Sequence, residues 1–554
     1  MGLGLGLCTR CCSMRALMAA QRAAVRTPAA LAPVSIAIAI AIAASSQHRA
    51  ASQPQRRPFA TSTSHRSTHS TPQRPSTTTT TVLGQEHPAD DYTNLPKSIL
   101  SRVGTTPILL ANPSHPLSLL QSQIQTHLAS LTDTASFTPI TPPPPVVSAD
   151  LNFSDLGFPQ DHPGRSPTDT YYLNRTTCLR THTSAHEVEV FRQGHTSWLL
   201  AADVYRRDEI DASHYPIFHQ MESARIFPLE HYQPAEGGGS GRKSLVELEC
   251  EAIEARLSAS DVQIEVEDNV DLEDAGGIQP SHEKPVALLA ARHLKAVLNS
   301  LVLELFGDRH RADLSSSSAT AAAPEPLRVR WIAATFPFTT PSYEVEVWFR
   351  GKWLEILGCG VVMDRTLQNA GVRNHLGWAF GLGLERIAMV LYSIPDIRLF
   401  WSSDERFLRQ FAGPSSLRSD GSDTHAGVSP AGGLVDSASK PTSKRPLITF
   451  TPYSRHPPCY KDVSFWLPTA NTEATPATAF HENDFCEVVR DTAADLAEDV
   501  SRIDEFVHPK TGRRSLCYRI NYRSMDRNLE NEEVNALHAQ VIKRLVDNFG
   551  IEIR

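Results

Sequence analysis

The sequence predicts an α+β protein: an antiparallel sheet flanked by helices, followed by a smaller C-terminal α/β sandwich. Three observations carry this. Residues 196–207 and 217–227 each alternate apolar and polar side chains, and the polar segment DEIDASHYP between them closes on Pro216, so two antiparallel strands joined by a loop are expected. SYEVEVWF and KWLEILGCGVV alternate in the same way around a short Arg350–Gly351–Lys352 turn, a second hairpin. Residues 446–554 run strand, helix, strand, strand, helix, the order of a sheet with helices on one side.

The 554 residues suffice for two or three domains, and a formal net charge of −8 excludes a generic polyanion binder. The N-terminal stretch stands apart. Up to Glu86 there is no Asp, Glu or Lys, but nine Arg among many Ser, Thr and Ala. Arg10, Arg15, Arg22 and Arg26 interleave with Leu, Met, Ala and Val, the pattern of an amphipathic mitochondrial targeting helix, so 1–85 is expected to be a presequence with a disordered tail. The apolar run Leu31–Ala44 is too short to span a bilayer, and no membrane association is expected. Six of the nine Cys lie beyond this stretch, scattered and without a C-x-x-C pair, which argues against structural zinc and against a disulfide framework, and suits the reducing mitochondrial matrix.

Further along, His115-Pro116 opens a helical run with Leu117, Leu120, Ile124, Leu128 and Leu131 on one face. NFSDLGFPQDHPGRSPTDTYYL (152–173) reads as an irregular loop and a short strand. LRTHTSAHEVEVFRQG (179–194) reads as a strand end entering a short helix, with Ser184 and Glu187 at capping-box spacing and Gly194 as a stop. The acidic segment 244–274 looks helical, then turns to strand or loop. A long apolar helix is predicted over Pro285–Gly307. Segments 233–243, 312–326 and 413–445, rich in Gly, Ser, Ala or Pro, read as flexible loops or linkers, the last separating a core at 95–412 from the C-terminal domain at 446–554. In that domain, strands over ITFTPYS and DVSFWLP, a helix over DFCEVVRDTAADLAEDV, strands over IDEFVHP and RSLCYRINYRS and a helix over NEEVNALHAQVIKRLVDNF are expected.

The first hairpin carries chemistry. Arg206 and Asp208 stand where its first strand enters the loop, His214 lies on the loop, and Phe218, Gln220 and Glu222 project from one face of the return strand. A guanidinium can hold phosphate by two parallel hydrogen bonds, an aromatic face can stack on a purine, and Gln220 with Glu222 can hold an ammonium group. Phe336 and Phe338, one residue apart, can box a planar ring. GWAFGLGLERIAMVLYSI (377–394) is a helix entered through a glycine-rich turn, neither a Walker sequence nor a dinucleotide fingerprint.

VYRRDEIDASHYPIFHQME resembles motif 2 of class II aminoacyl-tRNA synthetases in the form found in phenylalanyl-tRNA synthetases. GLGLER resembles motif 3, residues 152–173 the motif 1 region with Gly164 where Ala is usual, and IPDIRLFWSSDERFLRQF the organellar branch. The resemblance covers about 95–554 outside the insertions. It implies a class II catalytic core, a ferredoxin-like anticodon-binding domain and, with no stretch long enough for an editing module, a single-chain monomer. It implies ATP, phenylalanine and tRNA(Phe) as substrates. Arg206 and Arg386 would oppose one another across the triphosphate, with adenine clamped on Phe218, and His214 with Ser213, Tyr215 and Asp208 would lie on the triphosphate side. The T-H-T-S-[AP]-H match carries amino-acid contact onto His182, Ser184, Ala185, His186 and Glu187. FPFTTPS carries a phenyl pocket onto Phe336 and Phe338, with Ala379 and Phe380 as its far wall. Glu355 is the candidate Mg²⁺ ligand, although Thr340 stands where bacterial relatives have an acid. Lys510, Arg513, Arg514, Arg519, Arg523 and Arg527, interleaved with Tyr518 and Tyr522, are the candidate tRNA contacts, in a domain holding 13 Lys+Arg against 17 Asp+Glu. The alternatives are a non-catalytic RNA-binding paralogue and a different amino-acid specificity.

Overall fold

The computed structural model describes residues 79–104, 109–131, 137–234, 242–316, 325–402, 404–412, 447–452, 456–468 and 480–554. The expected targeting stretch up to residue 78, residues 235–241 and 317–324 of the two earlier expected insertions, and the expected linker 413–445 lie outside the described residues.

An eight-stranded sheet forms the body. Its strands are β1 (Thr138–Ile140), β2 (Ser197–Tyr205), β3 (Ile217–Pro228), β4 (Ile264–Asp268), β5 (Leu327–Phe336), β6 (Thr339–Phe349), β7 (Lys352–Val362) and β8 (His375–Gly383), in the spatial order β1-β2-β3-β8-β7-β6-β5-β4. The six central strands are mutually antiparallel; the edge strands β1 and β4 join in parallel. Both predicted hairpins are present. β2 and β3 pair from Ser197↔Arg225 to Tyr205↔Ile217. β6 and β7 turn through Arg350 (φ 49°) and Gly351 (φ 85°), the two positive dihedrals that a tight hairpin with right-handed twist requires. The pairing of β3 with β8 joins distant segments: Gln220↔Gly383, Glu222↔Gly381 and Ala224↔Ala379.

Helices α1 (Pro116–Ser130), α2 (Glu187–Arg192), α3 (Leu245–Ser258), α4 (Lys284–Ser316) and α5 (Leu384–Tyr392) complete the core. In α1, His115 caps the first turn through Nδ1, and Leu117, Leu120, Ile124 and Leu128 are fully buried, as their spacing predicts. α4 is longer than predicted and passes through Gly307. Tertiary contact overrides the stop signal there: Phe306 is buried, and Arg309 donates to the carbonyls of Leu391 and Ile448 and to Thr449 Oγ1. This helix is apolar and long enough to cross a bilayer, but Ala290, Leu294, Leu298, Leu301 and Val302 are buried in the core.

The C-terminal module is a four-stranded antiparallel sheet, ordered β10-β11-β9-β12, of β9 (Cys459–Trp466), β10 (Ala497–Val507), β11 (Arg514–Tyr522) and β12 (Glu552–Ile553), with α6 (Glu482–Ala493) and α7 (Asn531–Phe549). Two expectations need correction. The helix over 484–500 ends at Ala493, where Ala494 takes φ 48°, and the following strand begins at Ala497, because those residues pair with Tyr522 and its neighbours on β11. The described part of ITFTPYS is not a strand; Phe450 instead packs into the main core.

The sandwich grips the loop between β2 and β3. Ile210, from that loop, is buried among Val463, Phe465, Val489 and Ile520. Val500 N–H donates to Ile210 O (2.8 Å), Arg490 to Asp208 O (2.7 Å), and Arg207 pairs with Asp484 (3.0 Å).

Candidate active site

The pleat decides which side chains can meet. On β3, Phe218, Gln220, Glu222 and Ala224 share one face, and the partners of the last three on β8 are Gly383, Gly381 and Ala379. Gly358 and Gly360 on β7 pair with Gly381 and Ala379 and continue that face. Their missing side chains leave a hollow. A Cβ at Gly358 would meet Phe336 Cζ at 2.8 Å, whereas one at Gly381 would meet nothing within 4 Å. The cavity so formed is lined by Ser184, Glu222, Phe336, Phe338, Ala379 and Gly381 among others. The rings of Phe336 and Phe338 lie 5.9 Å apart and 15° from parallel, one wall of this slot. The side chain of Phe380 leaves from the opposite face of β8: its ring packs against Trp378 in the main core, although the residue still borders the cavity. Consecutive strand residues point to opposite faces, so although both residues of the expected Ala379–Phe380 wall border the cavity, their side chains diverge.

The polar end is built by the turn before α2. Thr183–His186 forms a 3-10 turn under β3. Thr183 N–H donates to Gln220 Oε1 (3.2 Å), and Ser184 Oγ donates to Glu222 Oε2 (3.0 Å). Ser184 and Glu187 therefore do not make a capping box; α2 begins without a side-chain cap. Glu187 is fully buried with no hydrogen-bond partner on either carboxyl oxygen. Burial pushes its carboxyl well above the usual range, helped by the Glu222 charge, and burial lifts Glu222 to about 7 against the bonds from Thr183 and Ser184. His182 is buried between Phe158 (5.4 Å) and Phe338 (6.2 Å), and burial lowers it to about 3, so it is neutral. Ala185 is buried, and the His186 ring nitrogens meet Arg180 and Glu189, both at 3.2 Å, so neither residue lines the cavity.

Positive charge stands beside this slot. Arg206 Nε donates to Thr181 O (2.8 Å), and the guanidinium lies 5.2 Å above the Phe218 ring. On the next residue, His219 donates its N–H to Glu385 (2.8 Å) and sets Nδ1 2.6 Å from the same carboxylate. Phe218 and Arg386 are thus immediate chain neighbours of one buried bonded pair, which ties the return strand of the first hairpin to the start of α5. Neither His219 nor Glu385 was singled out from sequence, although both lie within the quoted motifs. Arg386 stands 3.9 Å from Glu355. Burial, with repulsion from Glu344, raises Glu355 to about 7 despite Arg386.

On the loop, His214 Nδ1 is 2.6 Å from Asp211 Oδ2. Burial alone would lower this imidazole, but the Asp211 bond and the Asp208, Asp211 and Glu209 charges outweigh it, so it is raised and favours the cation. Glu209, Asp211 and His214 place ligand-type atoms within 4.8 Å of one another. Asp208 accepts from Glu209 N–H, and Ser213 donates to Asp211. Tyr215 turns away from the slot: its hydroxyl donates to Asp495 (2.6 Å) of the C-terminal module and its ring stacks on Trp401.

On the C-terminal sheet, Tyr460, Phe506 and Arg519 are exposed, Arg513 and Arg554 stack on the half-buried Trp466, and Arg519 pairs with Asp462. Lys510 is exposed in the turn beyond β10, Arg514 pairs with Glu505 and Arg527 with Glu533. Arg523 is set apart from these, bonded to Glu498 beside Arg398. Tyr518 and Tyr522 are buried in the module's core, because they alternate with the exposed side chains of β11.

Comparison with known proteins matches both modules in order. The family described as tRNA synthetases class II core domain (F) matches residues 109–226 and 289–411, and the ferredoxin-fold anticodon binding domain matches 454–554. A mitochondrial phenylalanine–tRNA ligase of Saccharomyces cerevisiae is 41% identical over 474 residues, 83% of this chain and 92% of its own. That of Mus musculus is 40% identical over 85% of this chain and 88% of its own, and the chloroplastic/mitochondrial enzyme of Arabidopsis thaliana 38% identical over 84% and 83%. With both modules matched in order and the likeness running nearly the length of these relatives, the chain belongs to the phenylalanine–tRNA ligase family of class II aminoacyl-tRNA synthetases.

Proposed function

We propose that the chain activates phenylalanine with ATP and transfers it to the 3′-terminal adenosine of tRNA(Phe), as a monomer in the mitochondrial matrix, with a catalytic core at 95–412 and an anticodon-binding domain at 446–554. The observation that carries the reading is the slot itself: two stacked phenylalanine rings and a glycine floor at one end, Ser184, Gln220 and Glu222 at the other, and Arg206 over Phe218 alongside. The amino-acid carboxylate attacks the α-phosphorus of ATP; the bond to the bridging oxygen breaks and pyrophosphate leaves. No covalent enzyme intermediate is needed, so the protein works by positioning and charge. Arg206 neutralises the α-phosphate, His214 as a cation supports the triphosphate side, and Arg386 faces adenine on Phe218.

The family's use of ATP calls for Mg²⁺, and the residues fit it. Glu355 and Glu344 repel one another, and a divalent cation relieves that. Thr340 contributes nothing there, since its hydroxyl donates to Gly277 O (3.2 Å). When bound, the metal neutralises charge on the triphosphate. For tRNA, the exposed Tyr460 and Phe506 and the half-buried Trp466, with Arg513, Arg514, Arg519 and Lys510, offer a stacking surface for unpaired bases.

Pyrophosphate exchange with phenylalanine, tyrosine and no amino acid tests the assignment: exchange is expected with phenylalanine, and its absence overturns the reading. Arg206→Ala is expected to lower exchange at least about 10²-fold, and an unchanged rate removes the role given to that residue.

A further inference from the structure

We propose that the ammonium end of the slot presents a single exchangeable charge: Glu187 stays a neutral carboxylic acid, and Glu222 ionises as the substrate docks, losing its proton to solvent. This rests on the reading of Glu222 as the ammonium's partner. Glu187 is 0% and Glu222 2% exposed, on adjoining elements, the start of α2 and the middle of β3. Glu222 accepts from Ser184 Oγ at 3.0 Å, whereas Glu187 has no partner for either oxygen. The charge that bears on Glu187 is that of Glu222, which opposes it. The cations nearby are committed elsewhere. Arg206 is bonded to Thr181 O, Arg180 to Asp203, Pro143 O and His186, and His182 is neutral by burial. Among the described residues no cation is bonded to either of these two buried carboxylates, which therefore cannot both ionise cheaply, and the ligand-free pair holds on to its protons toward neutrality.

An ammonium group changes one of them. It brings one positive charge and three donors to the corner where Ser184 holds Glu222 and Thr183 holds Gln220. The O–H bond of the Glu222 carboxyl breaks, the proton passes to a buffer base, and the carboxylate pairs with the ammonium. Glu187, without a donor aimed at it, retains its proton. The subsite then matches one positive charge with one negative, which a doubly ionised pair would not.

The test uses the full chain and calorimetric titration of L-phenylalanine in buffers of different ionisation enthalpy. Release of about one proton per phenylalanine at pH 6 and close to none at pH 8.5 is expected, with affinity rising toward ten-fold per pH unit below the Glu222 midpoint. 3-Phenyllactate, which has no ammonium, should release none, and Glu222→Gln should bind phenylalanine weakly and without release. Infrared spectra at pH 8.5 should show a protonated-carboxyl band that Glu187→Gln abolishes. Phenylalanine binding at pH 6 with no proton released, or no such band, overturns the proposal while leaving the exchange reaction intact. Failure of phenylalanine both to bind and to support exchange defeats the functional reading instead.

Discussion

Gly381→Ala separates the substrate's needs from the protein's. Gly381 sits opposite Glu222 in register, and a Cβ there would have no heavy atom within 4 Å. Its φ is not in the left-handed region, so alanine brings no backbone strain and, by restricting the unfolded chain, should add about 0.4–1 kcal/mol of stability. The methyl group instead intrudes on space assigned to the amino acid. Overfilling a packed site costs about 1–3 kcal/mol, which at 1.36 kcal/mol per ten-fold corresponds to a loss of about 5- to 150-fold in kcat/KM for phenylalanine. Pyrophosphate exchange gives the kinetic figure, and thermal melting of the same preparation shows that the fold is unharmed. A melting point at or above wild type with unchanged kcat/KM would refute the assignment of the hollow between β7 and β8 as the phenylalanine pocket. At Gly358 the same change is expected to lower the melting point, because its methyl group would strike Phe336.

Glu385→Ala strips the acceptor from the buried His219 N–H and ring nitrogen and should destabilise the protein by about 1–3 kcal/mol for each group left unpaired, read as a lower urea midpoint. The pH dependence of ligand-free stability has a definite sign. Glu222 binds its proton up to about 7 when folded, against 4.5 for an ordinary glutamate, so its contribution is complete below that lower value and is lost as pH rises toward 7. Glu222→Gln should remove that loss, seen as a shallower fall of melting temperature with pH than wild type between pH 5 and 7.5. Tyrosine should be activated with only about 10²-fold discrimination, since apolar walls reject an added hydroxyl weakly. The nearby Thr339 hydroxyl is already bonded to Ser342. Mischarging assays that show far greater selectivity, or rapid hydrolysis of tyrosyl-tRNA by the pure enzyme, would contradict this.

What could be read from the chain alone was what local pattern determines. Alternation over 196–227 and 342–362 located both hairpins, and the spacing of Leu117, Leu120, Ile124 and Leu128 located α1 and its buried face. The same logic places Phe218, Gln220 and Glu222 together, and applied to Ala379 and Phe380, which both border the cavity, it sends their side chains to opposite faces of β8. The remaining misses come from contacts distant in sequence. Ser184 has the spacing of a cap but spends its hydroxyl on Glu222, and Gly307 looks like a terminator inside a helix held by Arg309. Tyr215 faces Asp495, 280 residues away, which no loop motif signals. The His219–Glu385 tie, spanning 166 residues, escaped for the same reason.

Ile210 has a consequence for how the chain can be divided. Its side chain fills a place among the interior residues of the C-terminal sandwich, and the carbonyls on either side of that insertion are capped by Arg490 and Val500. A fragment ending at residue 412 would leave an isoleucine and two or three carbonyl groups bare at the very loop that carries His214. The isolated sandwich would have a dent in its own interior. The boundary drawn by the matched families therefore is not a seam along which the molecule parts cleanly: the C-terminal sandwich also serves as a splint for the loop that carries His214, and truncations there should be judged as lesions of both halves.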